Sequence, residues 1–339
     1  MTISVIATVK NEGDAIRPLL DSLTFQTLLP HEIVIADGGS TDNTLDVLRE
    51  YQQYLPLKIV DASDSNISQG RNIAIGAATG EIIAATDAGV VLSPRWVDEV
   101  TRPIREGSAE VVSGWFEPDP YTDFEVVMGA TVLPALADVE PESFLPSSRS
   151  IAFRKSAWER VRGYPEWLDF CEDLIFDMEL RDAYGSFPFA PKAVAYFRPR
   201  GSMRAFAKQY YLYARGDGKA DLWRKRHAIR YATYVIGLPF VLWRIATGGK
   251  DGWLLLLTGW LAYCRRPYAR LWANTHGWRI PARLWAFALV PVIRFVGDGA
   301  KMVGYLVGTG WRVQRSRNRH QNHLQSEARP HSADRAVEA

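Results

Sequence analysis

Two aspartates stand directly after short apolar runs in the first third of the chain. Residues 33–36 are followed by Asp37, and residues 82–86 are followed by Asp87. A short apolar run bounded by turn residues is typical of a buried strand in a parallel sheet. Open α/β sheets bind ligands in the crevice beyond the carboxyl ends of their strands. We therefore expect both carboxylates to lie where a ligand binds.

The segment around these acids alternates between apolar runs and amphipathic stretches, which predicts a βαβα order over residues 1–115. The expected strands are residues 3–9, 33–36, 57–60, 82–86 and 110–114, with helices between them that include residues 69–78. Gly38 and Gly39 suit a tight turn after the second strand, because glycine adopts backbone angles that are closed to other residues. This half of the chain predicts a sheet with the two acids at one edge.

Residues 116–220 are less regular and contain several prolines. The pattern predicts loops around strands at 150–153 and 193–197 and helices at 172–183 and 202–214. The first of these helices begins with two acids, which stabilise a helix N-terminus even without a ligand. We expect this region to complete one α/β domain over residues 1–220.

Four short segments follow one another along this domain: SVIATVKNE at 4–12, DGGSTDNT at 37–44, GRN at 70–72 and TDA at 86–88. In this order and spacing they resemble the nucleotide-sugar domain of glycosyltransferase family 2, over about residues 1–215. The resemblance implies a GT-A fold, which is a Rossmann-like, mixed and mostly parallel sheet flanked by helices. It also implies an enzyme whose nucleotide diphosphate sugar lies over the strand ends.

By this resemblance Thr8, Val9 and Glu12 line the nucleoside pocket, and Asp37 accepts a hydrogen bond from the base. Gly39 belongs to the same nucleotide-sugar site. A carboxylate at a strand end can accept from a uracil imide or a guanine amide edge, and hydrogen bonds with an ionised partner are the stronger kind. The alternatives are a turn aspartate at position 37 and a helix-start acid at position 12.

Asp87 matches the family's metal-binding DxD element, which implies a Mg²⁺ or Mn²⁺ ion that neutralises the diphosphate as the sugar bond breaks. Here the element reads Asp87-Ala88-Gly89 and supplies one carboxylate instead of two. Magnesium commonly needs only one or two protein carboxylates, because phosphates and water complete its shell. Arg71 matches an arginine that binds phosphate oxygens. The alternatives are a strand-end turn residue and a surface arginine.

The resemblance also places a catalytic base in the segment 169–174. We choose Asp173 as the base that takes the proton from the acceptor hydroxyl in an inverting transfer, with Glu172 orienting the site. Residues 209–218 stand where processive members carry a Gln-x-x-Arg-Trp motif, which is absent as written. A nonprocessive enzyme is therefore expected, with Arg215 closing over the diphosphate. The alternative for residues 209–218 is an aromatic helix face that packs on the membrane segment.

The composition changes after residue 220. Eight of the twelve tryptophans lie within residues 221–313, around apolar runs at 231–245 and 253–264 whose outer flanks are basic. This asymmetry predicts a hairpin with both ends in the cytoplasm. Each run is shorter than the roughly 20 residues of a bilayer span, so a re-entrant or interfacial hairpin and two spans both stay open. Residues 284–311 suit helices that lie in the interface.

The alternative for this apolar region is a soluble helical domain or a homodimer surface with a tryptophan-rich core. The polar residues 314–339 are expected to be disordered. A net charge of +2 gives no ground for nucleic-acid binding by bulk charge. The two cysteines fit a reducing cytosol, and we expect no signal peptide. The sequence thus predicts a protein on the cytoplasmic face of the cell membrane.

Together these features predict a membrane-associated inverting glycosyltransferase that acts on a glycan or lipid-linked acceptor in polysaccharide biosynthesis. One alternative keeps the fold and makes the acceptor a polyprenyl phosphate. The other is a noncatalytic nucleotide-sugar-binding protein, which the missing second acid of the DxD element motivates.

Overall fold

Within residues 1–327, which the computed structural model describes (side chains to residue 316), eight strands form one sheet. The strands are β1 (Ile3–Val9), β2 (Glu32–Asp37), β3 (Leu57–Asp61), β4 (Ile82–Ala85), β5 (Val90–Leu92), β6 (Val111–Pro118), β7 (Ile151–Arg154) and β8 (Phe189–Phe197). Their order across the sheet is β3-β2-β1-β4-β7-β6-β8-β5. Among strands β4 to β8, β6 and β7 are therefore the one pair that is consecutive in the chain and also adjacent in the sheet.

The sheet is mixed, as expected. Strands β1 to β4 run parallel, and β7 turns back against β4 and β6, so that four of the seven pairs formed by these strands are parallel. The register sets Val9 beside Asp37 and Ile6 beside Ala85. Because β1 lies between β2 and β4, the carboxyl ends of these three strands open onto one crevice.

Helices cover both faces of the sheet. The α-helices are α1 (Arg17–Thr24), α2 (Thr44–Tyr51), α3 (Ile67–Ala77), α4 (Trp96–Arg105), α5 (Asp123–Val132), α6 (Lys155–Arg160), α7 (Glu172–Tyr184), α8 (Met203–Ala220), α9 (Arg224–Tyr231), α10 (Leu238–Ala246), α11 (Lys250–Asn274) and α12 (Ile280–Glu327). Short 3-10 turns occupy Gly13–Ile16 and Leu136–Asp138. The buried residues of α1, α2 and α4 pack on one face, and those of α3 and α7 pack on the other.

Alternation along the strands explains these two layers. Successive side chains of a strand point to opposite faces, so Ile33 and Ile35 join the first core while Val34 and Ala36 join the second. All four are buried. The continuous apolar run at residues 33–36 is therefore a strand with a hydrophobic core on each side.

Helix α12 packs along α8 at a distance that glycine makes possible. A β-carbon added at Gly304 would lie 2.2 Å from the Tyr211 carbonyl oxygen, and one added at Gly308 would lie 2.1 Å from that of Arg215. Small residues at such a contact let two helix backbones approach closely. The apolar C-terminal region is thus joined to the α/β part through α8.

The two apolar runs after residue 220 form an antiparallel helical hairpin. Helix α9 continues through a π-helical segment, Ala232–Gly237, into α10, and α11 returns along it. The π segment ends two residues before Pro239, whose missing N–H disturbs the regular helical ladder. Hydroxyl groups of Tyr234 and Tyr263 lie 3.0 Å apart across the hairpin.

One helix in the described part of the chain is long and apolar enough to cross a membrane, over Ile280–Ser316. It falls in the region for which we predicted separate interfacial helices, and the structure instead forms one continuous helix. The predicted disordered tail begins inside α12, which continues to Glu327. Arginine, glutamine and leucine in this stretch are good helix formers, which explains the difference. Residues 328–339 lie outside the described residues.

Candidate active site

Asp37 ends β2 and organises the turn that follows it. Its Oδ2 accepts hydrogen bonds from the backbone N–H groups of Gly39 (3.2 Å) and Ser40 (3.0 Å), and its Oδ1 accepts from the Ser40 hydroxyl (2.5 Å). Gly39 has φ +83°, which glycine adopts without strain. The carboxylate is nearly buried, yet two carboxylate oxygens have about four acceptor sites, so a further hydrogen bond to a ligand is available.

The loop after β1 is tied to this turn. The Thr44 hydroxyl accepts from the N–H groups of Glu12 (2.9 Å) and Gly13 (2.8 Å), and the Asn11 side chain accepts from the Thr41 N–H (2.8 Å). Asn11 has φ 54° and holds this sharp turn. The two loops therefore form one rim of the crevice, and Asn11 is a rim residue that the sequence reasoning missed.

Glu12 faces the crevice from this rim. Burial raises the pKa of its carboxyl, and the carboxylates of Asp42 and Asp87 raise it further. Thr8 is half-buried at the end of β1, and its γ-methyl would lie 3.1 Å from a β-carbon added at Gly70 on α3. The β1 end thus lies against α3, and Glu12 lies close enough to Asp87 to interact with its charge.

Arg71 joins the strand-end acid to the acidic helix. Helix α3 begins with a capping box in which Asn66 and Gln69 bond each other's backbone, and this start fixes the first turn that carries Arg71. The guanidinium donates to Asp87 Oδ1 (2.9 Å) and to Glu172 Oε1 (2.5 Å), and its side chain is 3% exposed. The Arg71 side chain thereby holds Asp87 and Glu172 together, although they are 85 positions apart in the sequence.

Arg149 is a second cation at Asp87. Its Nε lies 3.4 Å from Asp87 Oδ2, and its guanidinium lies 4.6 Å from the centre of the Phe197 ring. The sequence reasoning missed it because its position depends on β7 pairing antiparallel with β4, which sets Ile151 beside Ala85. Continued by two residues, this register sets Arg149, two residues before β7, opposite Asp87, two residues beyond β4.

The two acids at the start of α7 have different environments. Glu172 is buried and paired with Arg71. Asp173 is half-buried, and within the described residues its one hydrogen bond is accepted by Oδ1 from the Leu174 N–H (2.9 Å). Burial raises the pKa of Glu172, and the Arg71 charge opposes that rise. Asp173 is therefore the more accessible of the two carboxylates.

One turn further along α7, Asp177 is fully buried and neither of its carboxylate oxygens has a hydrogen-bond partner in the described structure. Burial raises the pKa of Asp177 well above its usual range, and the charge of Asp173 adds to this. The sequence reasoning passed over it because an acid on a helix is normally solvated. Burial without a hydrogen-bond partner disfavours the charged form of this carboxyl.

Arg215 lies apart from this cluster. It pairs with Asp169, which also accepts from Lys219 Nζ (2.7 Å), and its guanidinium lies 5.8 Å from the centre of the Phe170 ring. These contacts hold the loop before α7 against α8. The predicted role of Arg215 at the diphosphate stays a prediction.

The donor set for a metal ion is sparse. No group of three histidine, cysteine or acidic side chains comes together around a metal position in the part of the chain that the structure describes. Asp87 is 28% exposed and fits a hard divalent cation as a single ligand, with phosphate oxygens and water as the others. Both of its oxygens also face guanidinium groups, so a cation at this point would compete with Arg71 and Arg149.

The crevice can therefore hold a ligand that has a polar edge and an anionic centre. Asp37 and the rim around it offer hydrogen-bond acceptors, and Asp87 with its two arginines concentrates charge at the next strand end. The Asp173 carboxylate lies close enough to Arg71 and Arg149 to interact with their charges. This is an arrangement for binding a charged ligand and moving a proton beside it.

Part of the chain is similar to known glycosyltransferases. Residues 4–156 match the model of "Glycosyl transferase family 2". An uncharacterized glycosyltransferase of Nostoc sp. is 29% identical over 171 residues, which cover 48% of this chain and 53% of the relative. The uncharacterized glycosyltransferase YibD of Escherichia coli is 31% identical over 110 residues, or 32% of either chain. This chain thus spans about half or less of the length of these relatives.

Two solved structures show a similar fold. The mannosyltransferase PcManGT from Pyrobaculum calidifontis, in complex with GDP-Man and Mn²⁺, is 19% identical with a TM-score of 0.54, over 91% of this chain and 86% of that one. TarS 1-349 of S. aureus, in complex with UDP-GlcNAc, is 20% identical with a TM-score of 0.51, over 93% and 92%. The expected GT-A fold is confirmed.

Proposed function

The chain carries a glycosyl transferase family 2 domain over residues 4–156, and on this premise we propose that the protein is a membrane-associated, inverting glycosyltransferase. Its donor is a nucleotide diphosphate sugar, and its acceptor is a glycan or a lipid-linked molecule. The observation that carries the proposal is the Arg71 bridge, which holds the strand-end acid Asp87 and the acidic start of α7 in one cluster. Residues 1–220 are the catalytic part and residues 221–313 the membrane-associated part.

The nucleoside end of the donor is assigned to the rim that Asp37 organises. Thr8, Val9 and Glu12 line this end, and Gly39 lets the backbone approach the ligand closely. Asp37 accepts from the base through an acceptor site that its own turn leaves free. The carboxyl ends of β1 and β2 position these groups.

The diphosphate end is assigned to Asp87 and its two arginines. A divalent cation bound at Asp87 would supply positive charge against the diphosphate. Arg71 holds Asp87 in place from the buried side, and Arg149 adds a second positive charge on the other side. The leaving group thus meets fixed cations where its charge develops. We place Arg215 at the mouth of this end, through the loop that it fixes.

The sugar transfer itself needs a base on the far side of the sugar from the diphosphate. Asp173 takes the proton of the acceptor hydroxyl as that oxygen bonds to the anomeric carbon. The bond between the anomeric carbon and the diphosphate oxygen breaks, and its electron pair leaves with the nucleoside diphosphate. Glu172 does not reach the substrate but holds Arg71, and through it Asp87.

The C-terminal helices support the membrane assignment. Large apolar side chains are exposed on the hairpin and on α12, among them Ile236 (69%), Trp253 (62%) and Leu306 (62%). Arg265 and Arg266 are exposed on α11 among them, as on a surface that meets anionic headgroups. The excess of basic residues on the flanks supports a position of this surface on the cytoplasmic face.

A thermal-shift screen tests the donor assignment. The purified full chain in detergent is heated with UDP-, GDP- and dTDP-sugars, with and without Mn²⁺; UDP-GlcNAc and GDP-mannose, the ligands of the two solved structures, are included. A donor that binds the folded state raises its apparent stability by mass action. We expect one nucleotide class to raise the melting temperature and Asp87→Asn to abolish the rise.

Asp61→Asn is the matched control, because Asp61 is an exposed acid at the end of another strand, β3. It should respond to the donor like the wild type. If no nucleotide sugar stabilises the wild type, or if Asp87→Asn responds unchanged, the donor site is misplaced.

A further inference from the structure

A second polar recess lies outside the crevice, between α5, α8, α9, α11 and α12. Its volume is about 170 Å³. The charged side chains and tyrosines that line it are Tyr210, Arg230, Tyr263, Arg294, Asp298 and Lys301. Since a single water needs roughly 10–15 Å³, the recess has room for a phosphate with its four oxygens. We refer to it as the Arg294–Lys301 pocket.

The single carboxylate of this lining is already balanced. Asp298 Oδ1 accepts from Arg230 Nε (2.8 Å), and Oδ2 accepts from the hydroxyls of Tyr234 (3.1 Å) and Tyr263. Arg230 and Asp298 are each about 15% exposed, so this pair is shielded from solvent. Asp298 therefore pairs with Arg230, so that one negative charge stands among the three cations of the lining, Arg230, Arg294 and Lys301.

Arg294 and Lys301 have no carboxylate partner within 4.0 Å among the described side chains. Each instead lies over an aromatic ring: Arg294 Cζ is 3.8 Å from the centre of Tyr263, and Lys301 Nζ is 4.5 Å from the centre of Tyr210. The Nε of Arg294 is buried and makes no hydrogen bond in the described structure. A buried donor without an acceptor is costly, and two positive charges side by side favour a bound anion.

We propose that the Arg294–Lys301 pocket binds the phosphate group of an anionic membrane lipid. Phosphate suits it because a guanidinium and an ammonium can each donate to separate phosphate oxygens. A lipid suits the surroundings because α12 exposes apolar side chains on either side of the two cations, including Val292 (49%), Phe295 (60%) and Val303 (57%). The headgroup enters the pocket while its chains lie along the exposed apolar surface.

This site is separate from the donor crevice and does not depend on sugar transfer. From the pocket, Arg230 Nη1 lies 3.0 Å from His227 Nδ1, and His227 Nε2 lies 3.1 Å from Asp217 Oδ2, both within hydrogen-bond distance. Asp217 Oδ1 in turn accepts from the thiol of Cys171 (3.5 Å). Cys171 is the residue before Glu172. The pocket and the start of α7 are thus braced by one chain of hydrogen bonds and remain distinct sites.

Titration calorimetry on the full chain in detergent tests the proposal. The probes are dihexanoyl phosphatidic acid, dihexanoyl phosphatidylcholine and inorganic phosphate, each below the concentration at which micelles form. We expect the wild type to bind the phosphatidic acid at least tenfold more tightly than the phosphatidylcholine. Arg294→Gln/Lys301→Gln should lose at least tenfold in that affinity.

Arg265→Gln/Arg266→Gln is the matched control, because it removes two exposed arginines from the neighbouring helix and leaves the pocket intact. It should bind like the wild type. Equal losses in both double variants, or no binding of phosphatidic acid by the wild type, would overturn the pocket. Equal affinities for phosphatidic acid and inorganic phosphate would overturn the lipid assignment.

Circular dichroism checks that each variant is folded. The single variant Lys301→Gln is tested in addition to the double variants. It removes one of the two cations and should lose part of the affinity. If the single variant folds and binds phosphatidic acid as tightly as the wild type, Lys301 does not contact the phosphate and the proposal fails at that residue.

Discussion

Replacing Arg71 should disrupt the cluster that joins the two halves of the candidate site. In Arg71→Met, the buried Glu172 loses its cation, while the more exposed Asp87 keeps Arg149 at 3.4 Å. Removing one partner of a buried pair typically costs about 3–5 kcal/mol, because the remaining charge is left uncompensated. The Arg71 side chain is 3% exposed, so solvent screening does not reduce this cost. We expect a loss in that range.

Urea denaturation of the detergent-solubilised chain, followed by tryptophan fluorescence, measures this loss. The double variant Arg71→Met/Glu172→Gln removes the buried charge together with its partner and should recover most of the stability. The control is Arg17→Met, since Arg17 also makes two ion pairs, with Asp14 (2.9 Å) and Glu50 (2.8 Å), but at the surface. Solvent screens such pairs, so little or no change is expected.

Two results would refute this reasoning. A loss for Arg71→Met as small as that for Arg17→Met would mean that the Arg71 bridge does not hold the site together. A double variant no more stable than Arg71→Met would mean that the uncompensated Glu172 charge is not the cause of the loss.

Three further predictions concern α12, α7 and the metal. Gly308→Ala should destabilise the protein by about 1–3 kcal/mol, because the added β-carbon overpacks the contact with α8. Gly310→Ala should not destabilise it, because a β-carbon there meets nothing within 4 Å. Thermal unfolding compares the two variants. Because the pKa of Asp177 is raised in the folded state, the wild type loses stability as the pH rises toward that pKa. Relative to the wild type, the unfolding free energy of Asp177→Asn should therefore increase by up to about 1.4 kcal/mol per pH unit above pH 4, as measured by urea denaturation. If the unfolding free energies of the two proteins change with pH in parallel, this prediction is wrong. In titration calorimetry Mn²⁺ should tighten donor binding in the wild type and in Asp61→Asn, a strand-end control, but not in Asp87→Asn.

The strand ends were predictable because local signals agree there. Each of the first four strands is a short apolar run followed by turn residues, and Gly39 with its positive φ marks the turn after β2. Parallel order then places the ends of β1, β2 and β4 together. The position of Asp37 and Asp87 at one edge of the sheet follows from these patterns alone.

The contacts of the site were not predictable in the same way. Arg149 reaches Asp87 only through the antiparallel insertion of β7, and Arg71 meets Glu172 only because α7 packs on the same face as α3. Both pairings join residues distant in sequence, and hydrophobic periodicity carries no information on them. The apolar repeat likewise did not reveal that α12 is one helix, because Arg294, Asp298 and Lys301 interrupt the run while pointing into a polar recess.

The most direct test of sugar transfer is the turnover of labelled donor by the purified full chain with extracted membrane lipids and glycans. Since general base catalysis contributes roughly 10²–10⁴-fold, Asp173→Asn should lose at least about 100-fold in transfer rate while binding donor like the wild type. Asp182→Asn, which changes an exposed acid on the same helix as Asp173, should keep the wild-type rate. Transfer by Asp173→Asn within a few-fold of the wild type, or no transfer by the wild type with a donor that it binds, would contradict the assignment.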